Sequence, residues 1–168
     1  MLVLMVFTDI VKLLLKDPRV NAGDLDNYAI IQAVTYAHED IVDLLLVDPN
    51  CNPGARSNKA LRIACRLGYI DIARKLLAHP KINRENNLTI HQGSLNNCMI
   101  IATRNENISI LEILILDDRV NIDEVIQYCL DFKLLHIGSL ILRTKIELKS
   151  KIQLEIQSIK QVLSNQSC

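Results

Sequence analysis

Five cysteines, at 51, 65, 98, 129 and 168, and four histidines, at 38, 79, 91 and 136, are the side chains of this 168-residue chain best suited to act as nucleophiles, bases or metal ligands. A thiolate mechanism needs an imidazole or another cation beside the sulfur. The one pair close in sequence is Cys129 and His136, seven residues apart, which keeps an enzyme built on them as a third reading. Zinc needs ligands at short, regular spacings. Neither Cys-x-x-Cys nor His-x-x-x-His occurs, so no metal is expected. Glycines at 23, 54, 68, 93 and 138 match no phosphate-cradling loop. No catalytic residue and no cofactor is predicted.

The cysteines have a plainer explanation once the elements that must hold them are traced. "LLLKDPRVN" from Leu13 returns as "LLLVDPNCN" from Leu44, as "KLLAHPKIN" from Lys75 and as "ILILDDRVN" from Ile113. Ile10, Ile41 and Ile72 are equivalent at a period of 31 residues, and periods of about 20 to 50 mark solenoids. The step to Ile110 is 38, which places about seven extra residues in 84–97, and a degenerate fifth copy sets Ile137 against Ile110. In this register Cys65 aligns with Val34 and Thr103, Cys98 with Ala29 and Ala60, and Cys129 with Ala33, Ala64 and Ala102. These are slots for a small buried hydrophobe.

Each copy reads as two short helices. Ala29, Ile30, Ala33 and Val34 recur at helical spacing, and Ile41, Val42, Leu44, Leu45 and Leu46 form a broader stripe. Residues 36–39 make the turn between them, Asp40 is placed to cap the second helix, and Asp-Pro is expected to stop it. Val20, Cys51, Ile82 and Val120 follow at one position, expected to be tucked under the neighbour. Asn21, Asn52, Asn83 and Asn121 come next, where a short amide can bond the turning backbone. A helix pair with so wide an apolar face is stable only when stacked.

Order and spacing of these blocks resemble the ankyrin repeat family: "YAIIQA" (28–33), "AH" (37–38), "IVDLLL" (41–46) and "PNCN" (49–52), then "KALRIA", "GY", "IARKLL" and "PKIN" in the next copy. The repeats are shorter than the family's usual length, no copy has Thr-Pro-Leu-His, and Asp-Pro replaces the Gly-Ala turn. The resemblance implies an all-α, ankyrin-like solenoid of stacked helix-turn-helix repeats with a C-terminal capping helix. About four to five repeats fill residues 1–145, the first truncated and the fifth degenerate; a cap and tail fill 146–168. Ile152, Ile156, Ile159 and Leu163 form one apolar stripe on that last helix. It suits either a cap or a helix that binds a partner.

The resemblance also implies binding through a concave face built from finger loops and the ends of leading helices. Carried over by position, the partner-binding candidates are Tyr36, Arg56, Lys59, Arg66, Leu67, Arg104 and Asn105, with His91 in the insertion. Leu25, Asp26 and Ser57 belong to the same fingers. The cations form a basic stripe for a protein partner with an acidic surface, with Tyr36 as aromatic anchor. Arg62 stands on a track otherwise occupied by Ile31 and Ile100, and is expected to pair with a carboxylate or reach the groove. His38, at the family's Gly-His position, is expected to bond within its turn.

Composition limits the alternatives. Lys+Arg and Asp+Glu are both 19, and aromatic content is 4% without tryptophan, so nucleic acid is not an expected partner. The apolar start "MLVLMVF" is broken by Asp9 and Lys12, well short of the ~20 residues of a bilayer span, so no membrane partner is expected either. Unpaired cysteine spacing fits a reducing, intracellular and cytoplasmic setting. The expected function is a non-enzymatic protein-protein interaction module. The alternative is an assembly subunit that self-associates through the truncated N-terminal edge, the chain being a monomer or weak homo-oligomer.

Overall fold

The computed structural model describes residues 2–82 and 95–165, with side chains described over 7–82 and 95–161. Among the described residues every regular element is a helix: α1 (Leu2–Leu14), α2 (Asp24–Thr35), α3 (Glu39–Leu46), α4 (Ala55–Leu67), α5 (Ile70–Ala78), α6 (Leu95–Arg104), α7 (Ile108–Ile115), α8 (Ile122–Asp131) and α9 (Leu135–Asn165). Leading helices α2, α4, α6 and α8 pack in one row, and trailing helices α1, α3, α5, α7 and α9 in a second. This is the all-α solenoid that the period predicts. Ile30, Leu61, Met99, Ile110, Leu111 and Leu114 are fully buried along it, each such side chain contributing about 1.5–3 kcal/mol on leaving water.

One turn joins every pair. Ala37, Gly68, Glu106 and Lys133 take φ values of 54°, 78°, 56° and 56°, and the next residue's N–H reaches back to the carbonyl of Ala33, Ala64, Ala102 or Cys129. A left-handed residue with this back-bond closes a helix end. Only Gly68 meets the backbone preference without strain. Asp40 does not cap α3: the helix begins at Glu39 after His38, with no side-chain cap bond, and Asp40 lies within its first turn. There its charge faces the positive end of the helix dipole.

The stop signal also differs from expectation. Trailing helix α7 ends at Ile115 before Asp117-Asp118, with no proline. The feature shared by all four copies is an acceptor two residues before the amide it receives. Asp17 takes the N–H of Arg19 at 3.0 Å, Asp48 that of Asn50 at 2.8 Å, His79 Nδ1 that of Lys81 at 3.2 Å, and Asp117 that of Arg119 at 3.1 Å. An Asx-type turn of this kind draws the backbone out of the helix.

The fingers are tighter than the sequence suggests. Leu25-Asp26-Asn27 and Arg56-Ser57-Asn58 each place three successive non-glycine residues in the left-handed region, a conformation that costs roughly 1–2 kcal/mol per residue. Asn27 N–H closes onto Gly23 O and Asn58 N–H onto Gly54 O, both at 3.0 Å. A Cβ on Gly23 or Gly54 would come within 2.6 Å of the backbone oxygen of Asn50 or Lys81. Glycine here lets one finger lie directly on the next.

Both ends depart from the interior pattern. Ile10 and Leu14 are 47% and 49% exposed, whereas their counterparts Ile72, Ile110, Leu45, Leu76 and Leu114 are buried. No leading helix covers α1 among the described residues, and its packing partner is α3. For the same reason Val20 is exposed, unlike Cys51, Ile82 and Val120. At the other end α9 runs unbroken across 145–146, so one helix spans the boundary expected there between repeat array and cap. It packs on α6, α7 and α8 through Ile137, Ile141 and Thr144, while Ile152, Ile156 and Ile159 lie exposed beyond the packed segment.

Candidate functional site

Four candidates converge. Lys59, Arg66, Arg104 and Asn105 line one cavity of about 340 Å³ between α4 and α6, together with Arg62, Ile63 and Ile101. Helical spacing produces it: Lys59, Arg62, Ile63 and Arg66 share one face of α4, as Ile101 and Arg104 do on α6, with Asn105 in the turn that follows. Ile63 and Ile101 occupy the same repeat position, as do Arg66 and Arg104, so the cavity is a recess between equivalent turns of neighbouring leading helices. Arg62 is the anomaly explained. It meets no carboxylate among the described residues: its Nη2 donates to Arg56 O at 3.3 Å, and its Nε is buried without a hydrogen-bond partner.

The other candidates lie elsewhere. Tyr36, 66% exposed, borders a separate cavity of about 410 Å³ with Thr8, His38 and Asp40. Its ring stands 6.2 Å from that of His38, whose backbone N–H bonds Ala33 O within the turn at 2.8 Å. Asn107, at the equivalent position, instead donates to Cys65 O at 2.7 Å and Arg66 O at 3.1 Å, closing the end of α4. Arg56 is a staple between fingers, donating to Leu25 O at 2.8 Å and standing 3.8 Å from Asp26. Leu67 is exposed but outside the cavity. His91, with most of the insertion, lies outside the described residues. The insertion's last part does not loop: Leu95, Asn96 and Asn97 open α6, and Leu95 is buried in the core.

Bonds between fingers tie together the repeats on either side of the recess. Asn96 Oδ1 accepts Asn121 N–H at 2.9 Å, and its amide donates to Glu124 at 2.7 Å; Asn27 Oδ1 accepts Asn52 N–H in the same manner. Asn58 stands at their position and is also buried. Asn21, Asn52 and Asn121 bond the backbone two or three residues on, as expected, and Asn83 lies outside the described residues. Lys81 Nζ donates to Pro49 O and Cys51 O at 2.8 and 2.7 Å, and Arg119 Nη2 to Leu77 O at 2.8 Å. On the trailing row Lys75 Nζ meets Glu39 and Asp43, both at 2.7 Å. The bonds from Asp43 and then Glu39 raise its pKa. Burial pushes Asp117 upward, but bonds from the Arg119 side chain and backbone and the guanidinium charge outweigh it and hold the carboxyl below its usual range.

The thiols of the described residues are packed in the core. Cys51, Cys65, Cys98 and Cys129 are buried. Burial pushes Cys51 up to about 11; a hydrogen bond with Cys98, then burial, push Cys65 well up; burial raises Cys129 against the opposing charge of Arg104. A nucleophilic cysteine needs the reverse shift. His136 is exposed while Cys129 is not.

A family model described as ankyrin repeats (3 copies) matches residues 2–89. The chain belongs to the ankyrin repeat family. Ankyrin repeats are generally protein-protein interaction modules, typically without enzymatic activity. No curated protein and no solved structure matches the chain. Among the described residues of this ankyrin chain no helix is long and apolar enough to cross a membrane.

Proposed function

We propose that this ankyrin repeat chain is a non-enzymatic interaction module that binds an acidic surface of a partner protein through its leading-helix face, inside the cell and without cofactor, membrane or nucleic acid. The observation that carries this reading is the recess between α4 and α6, where Lys59, Arg62, Arg66 and Arg104 gather over Ile63 and Ile101. Cations at the rim of an apolar floor are the composition from which interface hot spots are made. The test is quantitative co-purification of cross-linked partners with wild type and with Arg66→Glu plus Arg104→Glu. Loss of the same partners at unchanged thermal midpoint supports the reading. An identical partner set sinks it.

A second reading rests on α1. Its exposed Ile10 and Leu14 stand at positions buried in the interior repeats, and Phe7 and Leu13 add exposed apolar surface on the same helix, which suits self-association through this edge. Sedimentation velocity over a hundredfold range of concentration decides it: mass that climbs in wild type and stays monomeric in Ile10→Lys plus Leu14→Lys favours assembly, and a constant monomer removes it.

A further inference from the structure

Within the recess, charge is out of proportion to what a single carboxylate can offset. Among the described residues four cationic side chains line it and no acidic residue does. None of the four forms a salt bridge among the described residues, although the interior cations Lys75 and Arg119 both do. Arg62 adds a buried Nε donor without a hydrogen-bond partner among the described residues. A glutamate or aspartate brings one negative charge. A phosphorylated serine or threonine brings about −1.5 to −2 with three strong acceptor oxygens, and clusters of arginine are the usual means of holding it.

We propose that the α4–α6 recess is a docking pocket for a phosphorylated serine or threonine side chain of a partner protein. Arg62, Arg66 and Arg104 take the phosphate oxygens, Lys59 adds charge at the rim, and Ile63 and Ile101 receive the aliphatic stem. A volume of about 340 Å³ stands at the small end of ligand pockets of about 300–1,000 Å³, room for one or two side chains. The cations converge into a recess between two helices and are not spread over a flat face. That shape suits a group protruding from a peptide better than the plane of a membrane or the track of a nucleic-acid backbone. The proposal rests on the leading-helix face being the binding face, and it adds dependence on phosphorylation, which places the module downstream of a kinase.

The test uses the whole chain with ¹³C-labelled isoleucine δ-methyls and three degenerate 11-residue peptide pools that differ only at the central position: phosphoserine/phosphothreonine, serine/threonine, or glutamate. The phosphorylated pool is expected to shift the Ile63 and Ile101 methyls saturably and to bind at least tenfold more tightly than the glutamate pool. Arg66→Gln plus Arg104→Gln, or Arg62→Met alone, is expected to abolish that preference at an unchanged thermal midpoint. If the glutamate pool binds as tightly as the phosphorylated pool, the phosphate assignment is overturned while the acidic-surface reading stands. If the phosphorylated pool leaves both methyls unmoved, the pocket assignment is overturned. Partners retained by the charge-reversed protein above would remove the leading-helix face as well.

Discussion

Replacing Asn96 by alanine should loosen α6 from the finger that opens α8. The change removes the acceptor for Asn121 N–H and the donor to Glu124, at 2.9 and 2.7 Å. Asn96 is only 7% exposed and its bond to the Asn121 amide is half-buried, so losing that bond costs about 1–3 kcal/mol. Glu124 is exposed and rehydrates, so its bond adds only about 1 kcal/mol. Alanine returns up to about 0.7 kcal/mol in helix propensity on α6. The net loss is roughly 1.5–3.5 kcal/mol, or some 3–14 °C at about 2–4 °C per kcal/mol for a chain of this size. Thermal and urea unfolding measure the total, and amide hydrogen exchange at Asn121 measures the local part. Asn96→Asp is the control. It keeps the acceptor but sets a second carboxylate against Glu124, so it should be destabilised above pH 5 and partly rescued by Glu124→Gln. A wild-type midpoint and unchanged exchange at Asn121 in the alanine variant would refute the idea that these amides tie the fingers together.

Three further outcomes follow from the same geometry. Glu106→Gly, which relieves a φ of 56°, should stabilise by about 0.5–1 kcal/mol, whereas Gly68→Ala should destabilise because its Cβ would come within 2.9 Å of Asn107 Oδ1; paired urea titrations read both. Asp117 has its pKa held down in the fold, so its contribution is complete above its unfolded value and lost as pH falls through the folded one. The stability gap between wild type and Asp117→Asn should therefore narrow steadily below about pH 4 in a midpoint-against-pH series. Lys75→Met breaks two half-exposed ion pairs and should cost no more than about 1 kcal/mol, a difference that 1 M salt should shrink.

Helix pairs and their stacking were legible because apolar spacing is dictated by burial: Ile41, Ile72 and Ile110 mark the row in sequence and pack on it in the structure. The joint between α2 and α3 was equally plain. The fingers were not, because their order comes from contacts between repeats and no periodicity records those. Asn27, Asn58 and Asn96 recur at one position fourteen residues before Ile41, Ile72 and Ile110, a signal that was present but reads as loop polarity until the amide is seen buried. Arg56 shows the converse. Its position suits a partner contact, and a neighbouring finger takes it. Arg62 was conspicuous as a charge on an apolar track, and in the structure it lines the recess between α4 and α6.

Most of the bonds that join the repeats also share a direction. Asn52, Arg56, Lys81, Asn107 and Arg119 each donate a hydrogen bond to an oxygen of an earlier segment, whereas the Asn96 side chain donates forward to Glu124. The row is thus largely a chain of hands reaching backward. Shortening the protein from its far end would strip the donors that steady the remaining carbonyls, whereas trimming α1 would take none of these hands away. A shortened version that keeps the recess intact should therefore be cut from the front.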